Sequence, residues 1–341
     1  MARLTQAIKN LTRLTSLSTR VLADSPFTAT GLVQRPPSYT VPAFLVPAGV
    51  AGYFGGGWTG ANQSNIDKIT FPADTKTTIS ATLTSARNEM AGMANSAVAG
   101  YFGAGDFGAN IADNVDKITF PADTKTTLSA TIATIRYGMR GFANSAVAGY
   151  FGGGQGPARR DDIFKIAFPA DTMTTLSATL TAGVFMHGGM ANSGVAGYFG
   201  GGLTTVNISG IDKITFPADS KTTLSPTLTA ATARMAAFAN SSVAGYFSGG
   251  ITTVNIDTTD KITFPADTKT TISAQLTSAR RLLAGMANSG VAGYIGGGFD
   301  GTNYLSGIDK ITFPADSKTT LTPTLTSARE SASGFADSGT L

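Results

Sequence analysis

The 341-residue chain contains no cysteine, one histidine (His187), one tryptophan (Trp58) and two glutamates (Glu89 and Glu330). The first absence excludes a disulfide framework, a thiolate nucleophile, a zinc knuckle and an iron–sulfur cluster. A lone histidine removes every multi-histidine metal site, so no metal and no other cofactor is expected. With so little glutamate, paired-carboxylate catalysis would fall to aspartate. Charged residues make up 13% of the chain, about half the usual share, and no apolar run approaches the ~20 residues of a membrane span. Hydrophobic content is 42%, close to normal, so the chain has the apolar surface for a core and is not a charge-rich disordered one.

The net charge of +4 is local. Residues 1–48 hold Arg3, Lys9, Arg13, Arg20 and Arg35 against Asp24, which accounts for all of it. The remainder carries twenty basic and twenty acidic residues. No basic excess is left to neutralise phosphates, and no nucleic-acid partner is expected.

What is abundant is glycine, 41 residues, and repetition. The string Tyr-Phe-Gly-Gly-Gly, or a close variant, begins at Tyr53, Tyr101, Tyr150, Tyr198, Tyr246 and Tyr294. Phe-Pro-Ala-Asp begins at Phe71, Phe120, Phe168, Phe216, Phe264 and Phe313, and both series step by 48 or 49 residues. Within each unit Lys68-Ile69-Thr70-Phe71 and Thr78-Ile79-Ser80-Ala81-Thr82-Leu83 alternate with period two, which reads as strand. Pro72-Ala73-Asp74-Thr75 and Ala94-Asn95-Ser96 supply turn chemistry. The unit therefore has four short strands, expected in the second copy at a (91–94), b (98–103), c (115–120) and d (127–132).

Four strands in about 48 residues is the period of a propeller blade. The order of features resembles a kelch repeat. Gly55-Gly56-Gly57 stands where a kelch unit has its glycine pair, Phe71-Pro72-Ala73-Asp74 is similar to its turn, and Arg87, Arg136, Arg280 and Arg329 occupy its arginine place. The departures are Ile79, Leu128, Leu176, Leu224, Ile272 and Leu321 where kelch repeats carry tryptophan, and Val184 and Thr232 at the arginine place. The resemblance implies an all-β, six-bladed kelch-like β-propeller over 49–341. The glycines are expected to let inner strands converge on the axis. The phrase Gly334-Phe335-Ala336-Asp337-Ser338 has no strand b after it, whereas Ala43-Phe44-Leu45-Val46 precedes the first strand b. Register favours the C-terminal copy as the strand that closes the ring beside Tyr53, because an open ring would leave bare strand edges.

The leading segment differs. Leu4, Ile8, Leu11, Leu14, Leu17 and Val21 recur at spacings of three or four, one face of an amphipathic helix. The segment lacks the apolar h-region of a secretory signal, though its arginine- and serine-containing, acid-poor character resembles a transit peptide. The preferred reading is an N-terminal attachment helix within 1–35 and a linker over 36–48, with the leucine stripe docking on a partner protein or self-associating into a homo-oligomer.

No catalytic constellation stands out. Copper oxidases of related architecture need cysteine and several histidines, and sialidase-like propellers need clustered arginines, acids and a tyrosine nucleophile. The repeated Tyr and Asp are better explained as structural. The Asp67 series is expected to satisfy backbone groups near the b–c loops, and His187 to pack locally. The b–c loops hold most of the blade-to-blade difference, as loops on a rigid scaffold do where recognition occurs. They carry Trp58, Phe107, Phe299 and Tyr304, suited to stacking on sugars or to protein contact. Blade 3 departs from its siblings with Phe164 for Asp, Met173 for Lys and an Arg159-Arg160 pair, which is expected to mark a protein contact. The repeated phrases also look like repeat proteins of tailed bacteriophages. That resemblance implies a virion structural or adhesion protein, bound to other virion proteins through its N-terminal segment and touching a host-surface glycan or protein. The alternatives are a cytoplasmic kelch-type adaptor and, behind it, a glycan-processing lyase or hydrolase.

Overall fold

The Lys-Ile-Thr alternation, or a close variant, becomes strand c at every repeat of the chain. The structure is a computed structural model that describes residues 51–108 and 110–338, and these form six four-stranded antiparallel sheets. In blade 2 the strands are a, Ala91–Asn95; b, Ala99–Gly103; c, Val115–Thr119; and d, Thr124–Thr127, hydrogen-bonded in that order. Strand a of the other blades is Arg140–Asn144, Gly188–Asn192, Ala236–Asn240, Ala284–Asn288 and, for blade 1, Ser333–Ala336. That last strand pairs with Ala51–Gly55 and sets Phe335 opposite Tyr53, so the C-terminal copy closes the ring as its register predicts. The helix expected around Leu4, Ile8, Leu11, Leu14 and Leu17, and the linker to residue 48, lie outside the described residues.

Small residues on strand a let the blades meet. A Cβ added to Gly92 would strike the Gly334 carbonyl, one on Gly141 would strike that of Gly92, and one on Gly189 that of Gly141. Successive inner strands therefore pack backbone to backbone around the axis. Tyrosine and phenylalanine of strand b lie between sheets, buried throughout.

Strand d ends earlier than the alternation suggests. In blade 2 it stops at Thr127, and only Leu128 N continues the ladder, to Val115 O at 2.9 Å. The chain then folds under its own b–c loop, where Ile132 N donates to Asp113 O at 2.8 Å and the side chain is buried. Leu128 and Ile132 face the core as strand residues would, but their backbone partners lie elsewhere. Blade 3 is different: its strand d runs through Thr172–Thr179 past an irregularity between Asp162 and Phe164.

Two repeated contacts tie blade to blade. The aspartate of each Phe-Pro-Ala-Asp turn, at φ 53–55°, accepts the tyrosine hydroxyl and the strand-c lysine of the preceding blade. Asp171 takes Tyr101 at 2.8 Å and Lys117 at 2.6 Å, and Asp74 closes the ring by taking Tyr294 at 2.8 Å and Lys310 at 2.6 Å. Burial and the neighbouring carboxylate push all six tyrosines far above their ordinary pKa. The second contact uses the strand-c aspartates. Asp116 accepts Thr84 N at 2.9 Å, the Thr84 hydroxyl at 2.7 Å, the Thr127 hydroxyl at 2.7 Å and the Arg87 guanidinium at 2.9 Å. A buried carboxylate needs such a set, since an unpaired one would lose its hydration without compensation.

Candidate functional site

The ends of the blades differ sharply in how much they vary. At the a–b turns the copies agree: Ser145 N donates to the Ser193 hydroxyl and Ser193 N to that of Ser241, both at 3.1 Å. A valine follows each described hairpin turn, and Val98, Val147, Val195, Val243 and Val291 are 43–49% exposed.

At the opposite end, where strand a begins and strand b runs into the b–c loop, the copies diverge. Here one residue per blade forms a closed belt of backbone hydrogen bonds around the axis. Glu89 N donates to Ser331 O, Ser331 to Leu282, Leu282 to Arg234, Arg234 to Met186, Met186 to Gly138 and Gly138 back to Glu89, at 2.7–2.9 Å. All six lie at φ between 54° and 66°, although only one is glycine. A left-handed conformation costs a non-glycine residue about 1 kcal/mol, and the belt holds five of them there. Their side chains are six different ones on one repeated backbone.

A second ring lies outside the belt, with each member paired by an isolated bridge to the first residue of a b–c loop: Glu330 with Trp58, Asn88 with Asp106, Tyr137 with Gln155, Phe185 with Leu203, Ala233 with Ile251 and Arg281 with Phe299. Both glutamates of the chain therefore sit at this mouth. Burial pushes the Glu89 carboxyl up to about 7, with Arg140 pulling against the rise, and its Oε2 is enclosed without a hydrogen-bond partner. Burial likewise raises Glu330, opposed by Arg281 and Arg234. Among the described residues no cluster of three metal-ligating side chains occurs.

The structure gathers some predicted residues and separates others. Trp58, Phe299 and Tyr304 form one cluster across the blade 1–blade 6 boundary. Trp58 Nε1 donates to the Tyr304 hydroxyl at 3.1 Å, the Phe299 and Tyr304 rings lie 5.5 Å apart, and the Arg281 guanidinium covers Phe299 at 4.9 Å. Arg159 belongs to a second cluster, 5.3 Å above the Phe185 ring that meets Tyr137 edge-on. Phe107 is exposed and stands apart from both. Arg160 is exposed and lies 3.8 Å from Asp162.

Two expectations for blade 3 need correction. Phe164 is 1% exposed, beneath the Arg136 guanidinium at 4.8 Å, and Met173 is partly buried against the same core cluster. They do not form an exposed apolar rim. The sequence explains why: Phe164 stands where Asp116 stands in blade 2, Met173 where Lys125 stands, and Ala133 where Thr84 stands. Carboxylate, ammonium and hydroxyl of one polar contact are all replaced by apolar groups, and Arg136 turns to Asp162 at 2.8 and 3.0 Å. Reading the sequence for loops alone missed Glu89, Tyr137, Phe185, Arg234 and Arg281. The missed signal is variation at the two positions that follow the arginine place.

No family model and no curated protein matches the chain. Among solved structures the chain is similar to one titled "Structure of YjhT", with a TM-score of 0.61 and 12% identity over 81% of this chain and 98% of that one. The fold is a six-bladed β-propeller. At that identity the likeness carries the architecture and no activity. The propeller presents one varied mouth on an otherwise repeated body, an arrangement consistent with binding.

Proposed function

We propose that the protein is a non-enzymatic recognition head whose varied mouth binds a host-surface glycan or protein, carried on a bacteriophage particle by its N-terminal segment. The observation that carries the reading is where the blades differ. Six nearly identical units diverge at the belt, the second ring and the b–c loops, while the tyrosine–aspartate contacts between blades and the hairpin turns repeat. Rigid framework with variation at one mouth is what recognition requires. The Trp58–Phe299–Tyr304 cluster offers stacking surface beside Arg281, and Arg159, Phe185 and Tyr137 offer a second such patch. Against an enzymatic role, the repeated tyrosines and aspartates are engaged in contacts between blades. The virion setting draws its support from the resemblance of the repeated phrases to phage repeat proteins.

Two measurements test the reading. Mass spectrometry of purified particles should find the chain, and the purified protein should bind intact host cells or a glycan array. Trp58→Ala with Tyr304→Ala should lower that binding at least tenfold, whereas Val147→Ala with Val243→Ala should leave it unchanged. Binding that follows the valines instead would place recognition at the other end and refute the assignment.

A further inference from the structure

Four of the six blade junctions are plugged by a buried arginine. Arg87, Arg136, Arg280 and Arg329 leave one blade and reach a carboxylate of the next: Asp116 at 2.9 Å, Asp162 at 2.8 Å, Asp309 at 3.0 Å and Asp67 at 2.7 Å. Between blades 3 and 4 that arginine is Val184, yet Asp212 keeps its place on strand c. It still accepts Thr181 N at 2.7 Å, the Thr181 hydroxyl at 2.6 Å and the Thr223 hydroxyl at 2.7 Å. What remains is a cavity of about 410 Å³ against Val184, His187, Phe199, Ile208 and Asp212. That volume lies within the range of small-ligand sites. The next junction also lacks arginine, with Thr232 in its place, but retains only about 10 Å³ and has Met235 in its wall.

Two polar residues in the wall of this space each lack a partner. Asp212 is 8% exposed where Asp67 and Asp116 are 0% exposed, so the missing guanidinium uncovers the carboxylate. His187 is fully buried, and neither ring nitrogen has a hydrogen-bond partner. It replaces the methionine found at Met90, Met139 and Met235. An unsatisfied buried imidazole is costly, and the other blades avoid it. Burial pushes its pKa down to about 3, so the ring is neutral and adds no charge against a cation beside it.

We propose that the cavity between blades 3 and 4 binds a guanidinium group on a short apolar stem, in the place that four other junctions fill with their own arginine. The group belongs either to a small alkylguanidine or to an arginine of a partner protein. Asp212 Oδ2 is the counterpart of the oxygen that accepts Nη2 of Arg87 from Asp116, and the Phe199 carbonyl is the counterpart of the Phe102 carbonyl that Arg87 also reaches. Leucine, valine and phenylalanine line the stem's path. A planar fork of donors fits this set better than an ammonium of equal charge.

The cavity borrows Thr204, Ile208 and Gly210 from the blade 4 b–c loop at the edge of the mouth, but its test does not depend on recognition there. The full chain has a single histidine, so ¹⁵N labelling gives one imidazole as a direct reporter. n-Butylguanidinium should shift its ring signals saturably and bind at least tenfold tighter than n-butylammonium or n-butylurea. Val184→Arg should fill the site and abolish binding by calorimetry. N-acetyl-Gly-Arg-Gly-amide distinguishes the sources: tighter binding than the free probe assigns a partner's arginine, weaker binding assigns a small molecule, and either upholds the guanidinium site. No shift at millimolar probe, equal response to n-butylurea, or undiminished binding in Val184→Arg overturns the proposal and leaves a water-filled cavity.

Discussion

Phe164→Asp restores the residue that five of the six blades carry, and the structure predicts that it is harmful. Asp116 and its equivalents are tolerable because hydroxyl, amide, ammonium and guanidinium groups converge on them. At position 164 the threonine hydroxyl is gone with Ala133, the ammonium is gone with Met173, and Arg136 is committed to Asp162. Removing a fully buried phenylalanine costs about 3–5 kcal/mol by itself. A carboxylate left in its place adds the penalty of a buried charge with one or two donors instead of four or five, so a loss of at least about 4 kcal/mol is expected. Adding Ala133→Thr and Met173→Lys rebuilds the missing donors, and the triple variant should recover at least half of that loss. Urea unfolding of parent, single, double and triple variants supplies the cycle, because neighbouring substitutions that share one contact should be strongly non-additive. A single variant within 1 kcal/mol of the parent, or a triple no better than the single, would refute the idea that blade 3 carries a compensated exchange.

Tyr294→Phe and Tyr150→Phe remove the same hydroxyl-to-carboxylate bond, the first at ring closure and the second inside the ring. Each should cost about 1.5–3 kcal/mol, read as roughly 3–10 °C in Tm. Losses below about 0.5 kcal/mol at both sites would show that these tyrosine–aspartate bonds are incidental. Glu89, pushed up to about 7 by burial, holds a proton in the folded state that the unfolded chain has lost above about 4.5. Its contribution is therefore complete below pH 4.5 and declines as pH rises towards 7. Glu89→Gln should flatten that part of the stability profile, and an unchanged slope would place the carboxyl in water.

The architecture was legible because repetition makes period, strand order and closure readable without any contact being known. Strand d was not, since Leu128 and Ile132 bury on the same face whether or not their amides join the ladder. Trp58, Phe299 and Tyr304 were found as varied loop residues, but their meeting across the ring closure depends on blade 6 lying beside blade 1. The belt of Glu89, Gly138, Met186, Arg234, Leu282 and Ser331 was hidden for a different reason. Its bonds run from backbone to backbone and call on no side-chain group, so the most regular feature of the mouth has the least regular sequence.

In a repeat protein a departure from consensus has a meaning that one blade alone cannot supply. At the blade 2–blade 3 junction three positions change together, and the interior stays filled by Phe164 and Met173. That is drift from one packed solution to another, and it leaves no polar group wanting. At the blade 3–blade 4 junction Val184 removes a guanidinium while Asp212 remains, and His187 puts two unpartnered nitrogens into the wall of the space that results. Selection for packing alone would have closed that gap with a methionine, as the neighbouring junction does with Met235. Compensated departures therefore report on stability, and uncompensated ones report on what must be left open. By that criterion Phe164 and Met173, first read as an interface, are structural, and the proposed guanidinium site lies one junction further round the ring.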